Sequence, residues 1–305
     1  MVECVPNFSE GRDLAKIDAI VKAIASVTGV LVLHQTSDAD HNRSVITFAG
    51  LADGVEEAAF RAASTASAII DLREHRGVHP RVGALDVLPF VPLEGTSLDE
   101  CVEMAHRVGE RIWGELRVPV YFYEAAARRA ERKKLEDVRR GEFEGLLTAC
   151  ETEEAKRPDI GGPGLHPTAG AVIAGARKFL IAFNINLRTN DVSIAKEIAR
   201  KVRASSGGLP AVKALGLALE SRGLVQISMN LTDHEQTGLA TVFEAVSKLA
   251  QERGVKIAES ELIGLAPREA WEQATAAFLK LPTFDGQRIV ENRIERLRRD
   301  QNPAL

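Results

Sequence analysis

The chain is built around Glu74-His75-Arg76-Gly77-Val78-His79-Pro80-Arg81-Val82-Gly83, followed by Ala84-Leu85-Asp86-Val87-Leu88-Pro89-Phe90-Val91-Pro92. Histidines, arginines and glycines here precede an apolar run that predicts a buried strand. Pro80 fixes its own φ and favours an extended backbone at His79, so the imidazole is expected on a stiff support. Gly77 and Gly83 are expected to permit turns on either side. The stretch offers either a general base near neutral pH or a surface turn with satisfied histidines.

Length and composition indicate an ordinary globular protein. The 305 residues allow one large domain or two of moderate size, with 45% hydrophobic and 27% charged residues. A net charge of −4 argues against a nucleic-acid binder, and no apolar run reaches the roughly 18 residues of a membrane span. No signal peptide is expected at the N-terminus. Cys4, Cys101 and Cys150 fit neither a disulfide framework nor a zinc cage, so we expect a reduced, cytoplasmic enzyme.

Apolar periodicity predicts the order β-α-β-β-α-β in each half of the chain. The predicted elements are strands at 2–5, 30–33, 43–48 and 84–91 with helices at 14–24 and 55–69, then strands at 179–187, 212–219, 224–231 and 255–262 with helices at 192–203 and 239–253. Between the two sets we expect a helix at 98–116, a strand at 118–123, a charged helix at 124–140 and a connection between the halves at Gly161–Gly170. This pattern predicts an α+β protein with two ferredoxin-like subdomains.

Two strands of the second half alternate between apolar and polar side chains. Their polar face carries Asn184, Asn186, Gln226, Ser228 and Asn230. Asparagine is disfavoured in strands, so several on a central sheet face need a reason. Either the face meets water, or the open faces of the two halves meet across a polar cavity that binds a heteroatom-rich ligand. We favour the cavity because ligand sites prefer interdomain clefts.

Three blocks of the sequence resemble glutamate formiminotransferase. They are Val2-Glu3-Cys4-Val5-Pro6-Asn7-Phe8-Ser9-Glu10-Gly11, His79-Pro80-Arg81-Val82-Gly83-Ala84-Leu85-Asp86-Val87 and Gly175-Ala176-Arg177-Lys178-Phe179-Leu180-Ile181-Ala182-Phe183-Asn184-Ile185-Asn186. The resemblance extends over essentially the whole chain. It implies transfer of a formimino group from N-formimino-L-glutamate to N5 of tetrahydrofolate, in histidine breakdown. It also implies an N-terminal formiminotransferase subdomain at 1–177, a C-terminal one at 178–305, a folate tunnel between them and a homodimer.

The resemblance also assigns roles to residues. His79 is implied to be the catalytic histidine, and tetrahydrofolate, as co-substrate, is implied to lie along a glycine-rich loop. That loop consists of Gly161, Gly162, Pro163, Gly164, Leu165, His166, Pro167, Thr168, Ala169 and Gly170. N5 would attack the formimino carbon, and one imidazole could take the N5 proton and pass it to the departing glutamate nitrogen. Alignment of the two substrates would supply much of the remaining acceleration.

Both substrates carry carboxylates, so arginine forks are expected to bind them. The candidates are Arg43, Arg81, Arg177 and Arg188, of which one or two are expected to contact ligand. Asp40 is the candidate for a second catalytic group and Asp38 its alternative, because a carboxylate could orient an imidazole or stabilise a cationic amidine. Turn formation is the other role open to both. Asn184, Asn186 and Asn230 are further candidates for substrate contacts.

Two departures from the family leave the donor open. Vertebrate members carry an acidic residue at the end of the second strand, where this chain reads His34-Gln35-Thr36. The chain ends at Leu305, so any cyclodeaminase step is expected to belong to another protein. Formylglutamate and 5-formyltetrahydrofolate are the alternative donors. A folate-binding protein without transferase activity is a further alternative.

A metal site and an RNA-binding module are the remaining rivals. His75 and His79 have the i, i+4 spacing of a zinc helix, but Gly77 and Pro80 disfavour a helix there. RNA-binding sheets stack bases on aromatic side chains, whereas these strands offer amides and aromatic content is 5%. We therefore predict an enzyme acting on small molecules, with no metal and no nucleic-acid or membrane partner.

Overall fold

The computed structural model describes residues 1–271 and 274–301. The chain divides into two compact units, Met1–Arg177 and Lys178–Leu305. The strands are β1 (Val2–Cys4), β2 (Asn7–Phe8), β3 (Leu31–Asp38), β4 (Arg43–Gly50), β5 (Leu85–Pro92), β6 (Val120–Glu124), β7 (Val172–Ala176), β8 (Ile181–Leu187), β9 (Val212–Leu219), β10 (Leu224–Leu231) and β11 (Ile257–Ile263). The α-helices are α1 (Leu14–Ala25), α2 (Ala52–Ile69), α3 (Leu98–Arg111), α4 (Leu135–Val138), α5 (Glu142–Thr152), α6 (Val192–Val202), α7 (Leu239–Glu252) and α8 (Val290–Gln301). The α+β class is confirmed.

The first unit is built on a seven-stranded sheet. Strands β1 and β2 lie between β4 and β5 and pair antiparallel with both, while β3 pairs with the other edge of β4. Beyond β5 the sheet continues with β7 and then β6, both parallel. The four strands predicted for the first half are therefore present as β1, β3, β4 and β5. The parallel strands β7 and β6 extend the sheet beyond β5.

Helices α1, α2 and α3 cover the apolar side of this sheet. Ala58, Ala59, Ala62, Ala63 and Ala66 are fully buried in α2, the helix predicted at 55–69. Small side chains allow the helix axis to approach the sheet closely. Cys4 and Cys101 are buried in the same core as free thiols, as the sequence predicted.

The structure differs from the prediction between residues 124 and 176. The expected charged helix at 124–140 is mostly loop, because Arg132 and Arg139 turn inward to form ion pairs with Asp159 and Asp86. Helix α5 and strand β7 were not predicted. Gly161–Gly170 is not the connection between the halves, since β7 follows it and completes the first sheet.

The second unit has a four-stranded antiparallel sheet in the order β11-β8-β10-β9. The order of its elements is the predicted β-α-β-β-α-β, and β8 and β10 are the central pair. Gly216 shows where α6 packs: a Cβ there would lie 2.3 Å from the backbone nitrogen of Lys196. Because Gly216 pairs with Ile227, α6 lies on the apolar face of the sheet. None of the helices in the described residues is long and apolar enough to cross a membrane.

Candidate active site

His79 lies in the loop before β5 and contacts Arg43, the first residue of β4. A guanidinium only donates hydrogen bonds, so Nε2 of His79 accepts from Nη1 of Arg43 and the ring proton is on Nδ1. Burial, then the charges of Arg43 and Arg139, lower the pKa of His79 to about 3. The imidazole is therefore neutral, and its basic nitrogen is occupied by Arg43.

Arg43 is half-buried as a residue, but its Nε is buried and the partners of its guanidinium are neutral. Its Nη2 donates to Oδ1 of Asn7, and within the described residues its Nε has no hydrogen-bond partner. Burial and the nearby charge of Arg139 lower the pKa of Arg43 to about 10. A half-buried cation without a carboxylate is costly, which makes this guanidinium a natural site for an anionic ligand.

The His79 loop is held in place by Asp86, a residue of β5. Oδ1 of Asp86 accepts from the backbone nitrogens of Val82 at 2.7 Å and Gly83 at 3.3 Å, and Oδ2 accepts from Arg139. Gly83 O also accepts from Oγ of Ser9 at 2.7 Å. Asp86 is 2% exposed, so these bonds form away from solvent and restrain the loop strongly.

His75 and Arg81 support the loop from behind. Nε2 of His75 donates to Asn42 O at 2.8 Å, and its Nδ1 accepts from Nε of Arg81 at 2.9 Å. Arg81 also binds Glu144 through two hydrogen bonds of 2.8 and 2.6 Å. The predicted substrate contact of Arg81 therefore competes with this fork, and both ring nitrogens of His75 are occupied. Among the described residues, no group of three or more His, Cys, Asp or Glu is placed to hold a metal ion.

The turn between β3 and β4 brings a second histidine to His79. Asp38 accepts from the backbone nitrogen of His41 at 2.8 Å and contacts its ring Nδ1 at 3.0 Å. These hydrogen bonds, backbone first, lower the pKa of Asp38. Asp40, the predicted second catalytic residue, is exposed and contributes backbone contacts to Asp38 and Val78. Asp38, and not Asp40, therefore supplies the carboxylate that contacts the ring of His41.

A small pocket of about 10 Å³, the space of about one water molecule, brings these groups together. It is lined by Phe8, Ser9, His41, Asn42, Arg43, His75, His79, Arg81 and Asp86. Gly77 packs against the backbone of His41, where a larger residue does not fit, because a Cβ would lie 2.3 Å from His41 O. Gly77 and Gly83 are required by close packing of backbones and not by a left-handed φ.

The predicted folate loop, Gly161–Gly170, divides into two parts. Gly162–Pro167 lines an open pocket of about 400 Å³ together with Trp113, Arg117 and Pro119. Thr168–Gly170 binds the backbone at Leu72 and the end of the His79 loop, through the Thr168, Ala169 and Gly170 main chain. The loop that the resemblance assigns to folate is therefore joined directly to the loop that carries the histidine.

In the second unit the predicted amides lie side by side. Asn186 pairs with Gln226, and Nε2 of Gln226 donates to Oδ1 of Asn186 at 2.9 Å. Both amides also donate to Glu261 of β11, at 2.8 Å from Asn186 and 3.3 Å from Gln226. Glu261 binds Arg222 at 2.8 Å. The other three candidates differ in burial, since Asn184 is buried while Arg188 and Asn230 are exposed.

Sequence reasoning missed several residues of the first-unit site. Asn7 and Asp86 lie inside the blocks that carry the resemblance, so their position was visible but their role was not. Asn42 has a left-handed φ of 48° and accepts from Gly11 N at 2.9 Å. An asparagine directly before a strand is a signal for such a turn. No local sequence pattern marked Arg139 or Trp113 as a site residue.

Comparison with known proteins identifies the family. The model of the formiminotransferase domain, N-terminal subdomain, matches residues 1–177, and that of the formiminotransferase domain matches residues 182–299. Glutamate formimidoyltransferase of Streptococcus pyogenes serotype M1 is 44% identical over 96% of this chain and 98% of its own. The same enzyme of Thermoplasma acidophilum is 45% identical over 97% and 98%.

A larger relative matches over part of its length. Formimidoyltransferase-cyclodeaminase of Sus scrofa is 45% identical over 91% of this chain and 52% of its own, so the match spans about half of that protein. Together with the two family models, these relatives confirm the resemblance seen in the three sequence blocks. The chain belongs to the formiminotransferase domain family.

Proposed function

We propose that this chain transfers the formimino group of N-formimino-L-glutamate to N5 of tetrahydrofolate, as a glutamate formimidoyltransferase. The two nearly full-length relatives that carry this name support the assignment. The observation that carries it is the neutral His79 imidazole beside the half-buried Arg43 cation. A base and an anion site in one pocket suit a reaction that removes a proton from an amine while holding a dicarboxylate.

The contact between Arg43 and His79 gives the order of events. A carboxylate of the donor binds Arg43 and replaces His79 as the acceptor of Nη1. This leaves the lone pair on Nε2 free to take the N5 proton once N5 has attacked the formimino carbon. Substrate binding thus exposes the base, and the pairing in the free enzyme keeps the imidazole in the tautomer with the proton on Nδ1.

We place the p-aminobenzoyl ring and the glutamate of tetrahydrofolate in the open pocket beside Gly162–Pro167, which leaves the pterin and its N5 for the pocket of His79. The indole of Trp113 offers a flat apolar surface for the ring. The guanidinium of Arg117 lies 5.3 Å from the Trp113 ring centroid and offers a charge to a folate carboxylate. If this placement is correct, Trp113→Ala weakens tetrahydrofolate binding at least tenfold in calorimetry, while binding of formiminoglutamate is unchanged. An unchanged folate affinity contradicts it.

The two units are proposed to be the N-terminal and C-terminal subdomains, and each to be ferredoxin-like at its core. The strand order β11-β8-β10-β9 supports this for the second unit, and β3-β4-β1/β2-β5 for the first. A folate tunnel stays a prediction. The row of Asn184, Asn186 and Asn230 supports a ligand role in the second unit. A loss of folate affinity in Asn230→Asp, a change at the exposed member of the row, would support it further.

We also propose a homodimer and a cytoplasmic location. A homodimer follows from the family resemblance alone, and light scattering coupled to size-exclusion chromatography tests it. A cytoplasmic location is supported by the three cysteines, which are buried free thiols. Cell fractionation tests this second point.

The central experiment measures turnover of formiminoglutamate, formylglutamate and 5-formyltetrahydrofolate with tetrahydrofolate as acceptor where one is required. We expect turnover of formiminoglutamate, and a loss of about 10²–10⁴-fold in kcat for His79→Gln, with folate affinity retained. His106→Gln is the matched control, because His106 binds the carbonyl of Ala126 and does not line the pocket. Turnover of another donor alone replaces the proposed donor. Folate binding without any turnover indicates a binding protein.

A further inference from the structure

Asp38 and His41 form an orienting pair on the turn between β3 and β4. The carboxylate of Asp38 accepts three hydrogen bonds, from the backbone nitrogens of Asp40 at 2.9 Å and His41 at 2.8 Å and from Nδ1 of the His41 ring at 3.0 Å. The ring is therefore fixed with Nδ1 on the carboxylate. Its Nε2 is left for another partner, as in a carboxylate–histidine pair of a general acid or base.

The Asp38–His41 pair lies beside His79, the proposed base. The rings of His41 and His79 lie with centroids 6.0 Å apart and planes at 69°, and both line the pocket beside Arg43. Hydrogen bonds of about 2.8 Å from the two neighbouring rings can converge on two nitrogens attached to one carbon that lies beside the pair. The two groups therefore suit the two nitrogens of one tetrahedral intermediate.

The rings of His41 and His79 differ in the charges that surround them. Burial, and then the charges of Arg43 and Arg139, which Asp86 offsets only in part, lower the pKa of His79 and hold this ring neutral. His41 has the carboxylate of Asp38 beside it, which compensates a positive charge on the ring. The side chain of His41 is 50% exposed, so it can exchange a proton with solvent. Two neighbouring groups in opposite environments divide naturally into a base and an acid.

We infer that His41, positioned by Asp38, is the general acid of formimino transfer and donates the proton that releases glutamate. This inference rests on the proposed function. After N5 bonds to the formimino carbon, His79 takes the N5 proton and His41 gives a proton to the glutamate nitrogen. The bond from carbon to that nitrogen then breaks, and the lone pair of the remaining formimino nitrogen reforms its double bond to the carbon, which stays singly bonded to N5. Proton exchange with water resets both rings.

The test compares His41→Ala, Asp38→Asn and a control, Glu74→Ala, an exposed residue of the His79 loop. We expect His41→Ala to lower kcat about 100-fold or more, with tetrahydrofolate affinity unchanged. Added imidazole should restore part of this rate in proportion to its concentration. The alkaline limb of the kcat profile, which reports loss of the acid proton, should disappear in the variant.

Asp38→Asn affects the reaction only through the ring of His41, so its effect should differ from that of His41→Ala. It should lower kcat about tenfold and resist rescue, because the His41 ring still fills its place. A kcat for His41→Ala within twofold of the wild type overturns the inference. So does a large loss with no rescue and an unchanged pH profile, since that outcome makes His41 structural. The proposed function is judged separately, by whether the wild type turns over formiminoglutamate at all.

Discussion

The guanidinium of Arg43 donates to Nε2 of His79, so in the free enzyme the candidate anion site and the candidate base satisfy each other. The same guanidinium binds Asn7, which fixes it between β2 and β4. An incoming carboxylate and the lone pair of His79 therefore compete for one donor. The coupling predicts that removal of Arg43 changes both donor binding and the basicity of the imidazole.

Arg43→Met should raise the KM for formiminoglutamate at least about tenfold, because a hydrogen bond to a charged group contributes about 1.5–3 kcal/mol. It should also raise the pKa of His79, since one of the cations that lower it is gone. Steady-state kinetics and NMR titration of the ring measure the two effects. Arg73→Met is the control, because Arg73 binds Asp71 on the surface. An unchanged pKa would contradict the coupling.

Gly77→Ala should damage the site without unfolding the protein. Its Cβ would lie 2.3 Å from His41 O and 2.9 Å from the His41 carbonyl carbon, so the turn that carries His41 must shift. We expect kcat to fall by about 100-fold, as displacements of about 1 Å at a reacting group can cost. Gly114→Ala is the matched control because its Cβ meets open space. Equal kcat values for the two variants would show that the turn position is irrelevant.

Glu144→Gln should destabilise the support of the His79 loop. The substitution removes a charged fork from Arg81, whose side chain is 9% exposed, and leaves a buried guanidinium poorly paired. We expect the free energy of unfolding to fall by about 1–3 kcal/mol in urea titration. Glu142→Gln removes a longer contact of 3.6 Å to the same arginine and should cost about 0–1 kcal/mol. The reverse ranking would assign the support to Glu142.

The sequence predicted the second unit well because its information is local. Alternation along β8 and β10 predicted both the strands and the adjacent amide rows of Asn186 and Gln226. Strand β7 was not predicted because it is short, rich in alanine and glycine, and buried on both faces. Its sequence therefore shows no alternation of apolar and polar residues. Periodicity cannot identify a strand of this kind.

The site was predicted only in outline. The family resemblance implied a catalytic role for His79, while its proline-braced loop alone left a surface turn open. The contact with Arg43 depends on how β2, β4 and β5 assemble, which no local pattern contains. The same holds for Asp86 and Arg139, which are 53 residues apart in sequence. The charged run around Arg139 suggested a solvated helix, whereas Arg132 and Arg139 turn inward to form buried pairs. Ion pairs between distant residues overrode the local preference.

The low pKa of His79 also makes stability depend on pH. Burial and the cations Arg43 and Arg139 lower this pKa from its ordinary value of 6.5 to about 3 in the folded chain. As pH falls below 6.5 the unfolded chain therefore binds a proton at this ring before the folded chain does. The stability present above pH 6.5 is lost progressively as the pH approaches 3, at up to about 1.4 kcal/mol per pH unit.

His79→Gln removes this titration while keeping an amide that can accept from Arg43. The unfolding free energies of the variant and the wild type should differ by a constant above pH 7.5, and the variant should gain on the wild type below pH 6.5. Urea titrations between pH 8 and pH 5 measure the difference. Burial also lowers the pKa of His75 and His166, but these rings are common to both proteins, so their contributions cancel. A difference that stays flat down to pH 5 would mean that His79 titrates normally, and then Arg43 does not hold it neutral.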